Sequence, residues 1–506
     1  MKPLLEGNQR RNQERGQILV IVGIMMPAIL AFMGLVLDSG FIYAENRSAQ
    51  AASDSIALAA ATYMYNNAAS TVDCTTATGS GTDTCGVLAY ASALGYTATG
   101  ITVTVTHPAA VSGTYSSTDF HGRGDYVKVE ITKTLPKFFI GVVFEGASQP
   151  KVTSIAGIAR VPMQFALLSL GSPCSDSVNG TSPSQDGGIV VSGSGTLTVN
   201  NGAMFSNCTG SPAVNITGSG TIAGDGIQTA GTCLPSTTPC ETGLAQISDP
   251  MGNIAWPCSS STTGNNGSSP FCTDYSGSSS IAELDPPGGC SYVLNPGIFD
   301  HVSGSCNGTL WLRSGIYVMK GGGFSLSGSA AVKTCDATGA PVGGAPTGGG
   351  AKVSDGYGCT GGTGGILIFN ATNEYDGARA PTVFSMSTLP NNCNNNSAPS
   401  PTSSSISMTG SGGFYISTKS SGPYANLGLW QGCGITSTIS LTGSAGSDMR
   451  GTLYAPDAPV KLDGSAVWDT PSNIISKFLQ MKGSANLTID YNHSLAYKPY
   501  KVVLVQ

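Results

Sequence analysis

The stretch ISLTGSAGSDMRGTLYAPDAPVKLDGSAVWDTPSNIISKFLQMKGSA, residues 439–485, states one short pattern three times: apolar, any, apolar, any, Gly, Ser, Ala. The copies start at Ile439, Val460 and Leu479, which places them 21 and 19 residues apart. Four more lie upstream: IVVSGSG from Ile189, VNITGSG from Val214, FSLSGSA from Phe324 and ISMTGSG from Ile406. Alternation of apolar and other residues makes each copy a short strand with one buried face, and Gly-Ser-Gly/Ala supplies a tight turn after it. A recurrence near twenty residues is the length of one coil of a β-solenoid, in which each strand stacks on its equivalent in the next coil. A β-sandwich would offer similar strands without the recurring turn. The expected fold is therefore mainly β, with a β-solenoid (β-helix-like) domain over residues 166–506.

Two tracts, Gly231–Pro287 and Thr334–Gly365, interrupt the pattern with Gly, Ser, Asn, Pro and cysteine. They read as long disulfide-tied loops. Between them, Pro296–Met319 holds two P/S-G-I-aromatic units and reads as a further coil. The end of the chain alternates again and closes on VVLVQ, a final strand. Fourteen cysteines, all beyond residue 73, form no C-x-x-C pair, and only four histidines accompany them. That argues against zinc knuckles and for disulfides in an oxidising compartment. Cys74–Cys85 and Cys233–Cys240 close short loops and are the expected local bridges; the other pairings stay open.

The opposite end of the chain has a different texture. Residues 18–37, ILVIVGIMMPAILAFMGLVL, are uncharged. Twenty residues of helix rise about 30 Å, the thickness of a bilayer's hydrocarbon core. This run is longer than the apolar region of a cleaved signal peptide, about 7–15 residues. It also flows into a helical Phe41–Tyr65, so it reads as a retained transmembrane anchor. Lys2, Arg10, Arg11 and Arg15 precede it, which keeps the N-terminus cytoplasmic and sends the bulk of the chain into the periplasm or beyond. Residues 1–17 are expected to be a disordered basic tail. The helix should continue through Met64, since Ala, Ile and Leu recur at helical spacing with no Gly or Pro between them.

Residues 38–165 read as that helix plus a small α+β region. A short helix is expected within Gly86–Gly95, and strands at Ile101–Thr106, Tyr126–Thr132 and Val152–Val161. Pro136–Phe144, PKFFIGVVF, is an apolar segment suited to the long helix or the membrane. Arg123–Asp125 spells RGD, which reads first as a glycine turn between strands.

The N-terminal segment resembles the TadG-like proteins of tight-adherence (Flp-type) pilus assembly systems. The residues that carry the resemblance are Arg15, Gly16, Pro27, Asp38, Gly40, Tyr43, Gln50, Ala51, Asp54, Ala57, Leu58 and Ala59. It implies an inner-membrane-anchored envelope protein that helps to assemble or anchor adhesive pili; the order of a long helix and then a small sheet is a pilin-like arrangement that agrees with this. The implied partners are sibling pilus-assembly or minor pilin proteins, met through the helix. Two features depart from that pattern. No D-x-S-x-S turn of a von Willebrand A domain is found, and the fifth position after Gly16 is Ile21, where prepilin processing favours Glu. The segment TLYAPDAPV at Thr452–Val460, with the VKLDGSA that follows, also looks like a C-terminal module of some TadG-like proteins.

Charged residues make up 10% of the chain and the net charge is −6, so no basic face is concentrated enough for nucleic acid. A solenoid raises the alternative of an anchored polysaccharide-active enzyme, which needs paired carboxylates. The acidic residues Asp225, Asp249, Asp300, Asp448, Asp457, Asp463 and Asp469 are scattered along the sequence. Asp457 and Asp463 read as turn residues, and His301 beside Asp300 reads as a surface neighbour. No Walker loop, G-x-S-x-G elbow or metal-ligand spacing is present. The expectation is a non-catalytic structural or accessory protein, without cofactor or metal, whose solenoid serves as a spacer or as a surface for a glycan or other ligand. A stand-alone adhesin sharing only the anchor is the third reading.

Overall fold

A computed structural model of the chain describes residues 6–67, 87–96, 98–106, 126–136, 139, 149–174, 187–236, 239–252, 254, 257, 292–294, 297–299, 301–334, 365–371, 404–422, 424–444 and 446–505. It divides into two compact units, Met1–Ala159 with Tyr500–Gln506, and Arg160–Pro499. The final strand thus joins the first unit and not the repeat domain.

The first unit is built on α1, Glu6–Asn67, 62 residues of continuous helix. The helix begins well inside the expected tail, because Glu, Gln and Arg are good helix formers and no proline follows Pro3 before Pro27. A short helix α2, Val87–Ala93, precedes strands β1 (Ile101–Thr106), β2 (Tyr126–Lys133) and β3 (Lys151–Arg160). β1 and β2, and β2 and β3, pair antiparallel, and the C-terminal strand Tyr500–Leu504 completes the sheet beside β3. Ala49, Ala52, Ile56, Ala60 and Met64 recur every three or four residues, so they share one face of α1. That face is buried on Val103, Val105, Val127, Val129, Ile131 and Val152. Small residues on the helix bring its backbone close to the sheet, and the β-branched residues opposite fill the pleats.

The second unit is one large parallel sheet of 23 short strands that nearly closes on itself. Its pairings form three ladders. All seven Gly-Ser motif copies lie in one of them, in register: Phe324 opposite Ile406, Ile439 opposite Val460, Val460 opposite Leu479, Leu479 opposite Ile189 and Ile189 opposite Val214. The alternate residues point inward and build a continuous interior, with Ile189, Val191, Leu326, Ile439, Leu441, Val460, Leu462, Leu479 and Met481 all buried.

The Gly-Ser corner explains the motif. Gly193, Gly218, Gly328, Gly410, Gly443, Gly464 and Gly483 all have φ between +72° and +103°, a region open to glycine and strained for other residues. The next residue's amide then donates to the glycine carbonyl of the neighbouring rung: Ser411 to Gly328 at 2.9 Å, Ser444 to Gly410 at 2.8 Å, Ser465 to Gly443 at 2.7 Å, Ser484 to Gly464 at 2.7 Å and Ser194 to Gly483 at 2.8 Å. A second corner carries the buried hydroxyls of Ser476, Ser169, Ser206 and Thr229 in register. They bond to backbone carbonyls, so these buried polar groups are satisfied; Thr229 Oγ1 donates to Ser206 O at 3.1 Å.

The order of rungs in space is not the order in sequence. From one end the stack runs 292–312, 315–334, 366–416, 427–449, 452–470, 474–490, and then 165–200, 203–224 and 227–234. The chain enters in mid-stack, winds to one end, resumes at the far end and returns to the rung beside its entry. It is a simple stack, cut in the middle.

A Cβ on Gly410 would lie 2.1 Å from Gly328 O, and its φ is +103°. Gly410→Ala should therefore lower the unfolding free energy by about 1–3 kcal/mol, whereas Ser411→Ala on the exposed side should change it by less than about 0.5 kcal/mol. Urea unfolding of the two variants checks this, and equal midpoints would refute the role of the corner.

Candidate functional site

The N-terminal helix is the element whose chemistry departs most from a buried core helix. From Val22 to Leu37 it exposes Ile24, Met25, Met26, Leu30, Phe32, Met33 and Leu37, Phe32 at 68% of its surface. Among the described residues one segment, Val22–Tyr65 of α1, is long and apolar enough to cross a membrane. Large aliphatic side chains exposed along a helix are suited to a lipid solvent.

At the end of this apolar stretch Asp38 is buried, 2% exposed, and its Oδ2 accepts the amide of Phe139 at 2.9 Å. Phe139 lies over Gly34, where a Cβ would meet its ring carbon at 2.5 Å, so the glycine makes room for the ring. Phe139 belongs to the expected apolar segment Pro136–Phe144 and touches the helix; residues 140–148 lie outside the described residues. One turn and more further on, Glu45 and Lys133 form an ion pair at 2.6 Å. Gln50 Nε2 donates to Asp54 Oδ1 at 2.8 Å and to Ser154 Oγ at 2.9 Å, and Ser154 Oγ donates to the same Asp54 oxygen at 2.5 Å. Ser53, fully buried, donates to Val129 O at 3.2 Å. The polar residues of the helix are thus its fastening to the sheet.

The residues that carry the sequence resemblance therefore divide by role. Asp38, Gln50, Asp54, Ala57 and Leu58 hold the helix in the first unit, Ala57 fully buried and Leu58 at the edge of the core. Tyr43 is 65% exposed, and nothing stands within 4 Å of a Cβ on Gly40. Arg15, Gly16 and Pro27 lie on the helical backbone. Cys74, Cys85, Asp300 and the RGD stretch lie outside the described residues.

In the second unit a disulfide joins Cys233 and Cys240, and another joins Cys174 and Cys208, a pairing that the sequence left open. Cys433 is also disulfide-bonded. An open trough of about 840 Å³ follows the Gly-Ser corner, lined by Gly193, Ser194, Gly218, Gly443, Gly464 and Gly483. It offers backbone and hydroxyl groups and no titratable side chain. Asp463 Oδ1 accepts the Gly464 amide at 2.8 Å and Oδ2 pairs with Lys461 at 3.0 Å; Asp457 Oδ2 accepts the Gly434 amide at 2.7 Å. Asp463 acts at its own corner, whereas Asp457 lies within the strand Thr452–Gly464 and holds the turn at Gly434, 23 residues away. Among the described residues no three His, Cys, Asp or Glu side chains converge.

Two arrangements escaped the sequence reading. Asp448 and Asp469, 21 positions apart, are register partners on adjacent rungs. Asp249 and Tyr454 are 205 residues apart, and the tyrosine hydroxyl donates to Asp249 Oδ2 at 2.5 Å while the Met251 amide donates to Oδ1 at 2.9 Å. Burial, with the nearby Asp457 charge adding to it, pushes the Asp249 pKa up to about 6 against the two hydrogen bonds. No local pattern announces a contact that only the stack creates.

Residues 16–62 match the family model described as putative Flp pilus-assembly TadE/G-like. The N-terminal segment is TadG-like, and a domain of this kind points to a pilus-associated protein. No curated protein and no solved structure matches the chain.

Asp54→Ala removes the acceptor shared by Gln50 and Ser154, so it should cost about 1–3 kcal/mol in urea unfolding of the detergent-solubilised protein. Asp249 gives a pH-dependent expectation. Its folded pKa of about 6 lies above the unfolded value of 3.8, so the folded state holds the proton more tightly and stability falls as pH rises from about 4 to 6. Asp249→Asn should flatten that slope and raise neutral-pH stability by ~1–3 kcal/mol, read as melting temperature against pH.

Proposed function

We propose that this protein is a single-pass inner-membrane protein of a Tad/Flp-type pilus assembly or adhesion system, with a structural or accessory and non-catalytic role. The observation that carries the reading is one helix with two chemistries. Its stretch Val22–Leu37 is exposed and apolar, and its later part is fastened to a small sheet by residues of the TadE/G-like segment. The N-terminus is cytoplasmic and the bulk of the chain lies in the periplasm or beyond it, as Arg10, Arg11 and Arg15 before the span favour. The long helix packed across an antiparallel sheet is a pilin-like arrangement. Gly23 in the exposed apolar stretch, with Ala44 and Ala51 on the side of the helix away from the sheet, suits close approach by helices of sibling proteins. The three ladders form a β-solenoid of three faces per coil, a rigid spacer that carries a surface for a glycan or other ligand.

Fractionation of cells, with a non-reducing gel, tests this. Full-length protein in the inner membrane, with mobility that changes on reduction, is the expected result. Recovery in sheared surface material, shortened at the N-terminus, would assign it to the filament as a processed subunit. Reduced protein in the cytosol would overturn the reading.

A further inference from the structure

The second ladder surface of the stack carries a column of outward side chains that stability does not explain. In register, rung after rung, stand Lys333, Tyr415, Asp448, Asp469, Thr488 and Thr198. Their inward neighbours Val332, Phe414, Met449, Trp468, Leu487 and Leu197 are buried, which fixes the column on the outside; Trp311, the register partner of Lys333 on the preceding rung, is itself buried. At about 4.8 Å per rung the column spans about 24 Å along the stack.

We propose that this column is a binding surface for an extended, neutral polysaccharide lying along the stack. It rests on the surface role proposed above and names its site and its ligand class. Tyr415 is 42% exposed, and a Cβ on Gly446 would stand 3.0 Å from its hydroxyl, so the ring leans over that rung. The outward positions beside Lys333, Tyr415 and Asp448 are Ala331, Gly413 and Gly446, which leave a shelf without bulky side chains. An aromatic face over such a shelf is suited to the C–H face of a sugar ring. Asp448 and Asp469 are both exposed, and among the described residues neither is paired with a cation. Like charges on adjacent strands oppose pairing. Their placement suits a ligand that donates hydrogen bonds to carboxylates, as the vicinal hydroxyls of a sugar do, and such bonds are charge-assisted. The same pair disfavours nucleic acid and acidic glycans. Lys333 adds no free anion site, because its Nζ sits 5.6 Å from the ring centroids of both Trp311 and Tyr415. Thr488 and Thr198 extend the column with hydroxyls that donate and accept.

Native affinity electrophoresis of the full-length, detergent-solubilised protein tests the proposal, in gels containing hydroxyethyl cellulose, dextran or mannan, with alginate and poly-lysine as charged counterparts. Retardation is expected in at least one neutral gel and not in alginate. Tyr415→Ala should weaken it at least tenfold, and so should the isosteric double variant Asp448→Asn with Asp469→Asn. The double variant relieves a repulsion, so it should melt no lower than the parent, which separates lost binding from lost folding. Thr217→Ala, on another ladder, should bind as the parent does. Absence of retardation in all three neutral gels would overturn the proposal, as would variants that bind like the parent. Interaction with poly-lysine alone, abolished by salt, would assign the carboxylates to a cationic partner and overturn it too. None of these outcomes bears on where the protein fractionates, so the two readings fail separately.

Discussion

The hydrogen bond from a serine amide to the glycine carbonyl one rung away is the constraint on which the repeat domain depends. Each rung must turn a corner at the end of the motif strand, and each corner must leave its carbonyl pointing at the next rung. Positive φ at Gly193, Gly218, Gly328, Gly410, Gly443, Gly464 and Gly483 does both. A side chain there would meet backbone, since a Cβ on Gly193 would lie 2.3 Å from Gly483 O and one on Gly443 2.5 Å from Gly410 O. Once the corners stack, the strands before and after them fall into register, and their inward residues form a continuous apolar interior.

Stacked parallel rungs satisfy backbone groups with their neighbours and do not require those neighbours to be adjacent in sequence. That permits the displaced order seen here, with Leu479 beside Ile189. The cut brings the two ends of the domain together, Val161 N donating to Pro499 O at 3.1 Å. In the first unit the strands reached from those ends, β3 and Tyr500–Leu504, are neighbours as well. The long segments between rungs enter and leave at corners or strand ends, where insertion leaves the ladders intact.

The helix shows the same economy of position. Its apolar and polar residues are separated along its length and not only around it. Val22–Leu37 is exposed and apolar, while Glu45, Gln50, Ser53 and Asp54 supply the polar contacts to the sheet. Asp38 lies at the boundary between the two, where a carboxylate without a donor would be costly; the Phe139 amide supplies one.

Much of this was legible in local pattern. The Gly-Ser motif encodes its own corner, so its seven copies announced short strands and the turn after each, and the uncharged run with its alanine-rich continuation announced one long helix. These features depend on nearest neighbours along the chain, which is what a sequence displays. The helical start at Glu6, the capture of the last strand by the first unit and the mid-stack cut were not legible, because each is decided by which surfaces meet after the chain has folded. The same holds for the functional candidates. Asp54 was marked by its place in the TadG-like segment, but its partner Ser154 is 100 residues away. Asp448 and Asp469 read as scattered acids until the register set them side by side, and Asp249 gained its raised pKa only from burial against Tyr454. Sequence alone determined the periodic elements, through backbone sterics and alternation. Tertiary structure alone decided the order of the rungs and which side chains share a surface, since long-range pairing leaves no local mark.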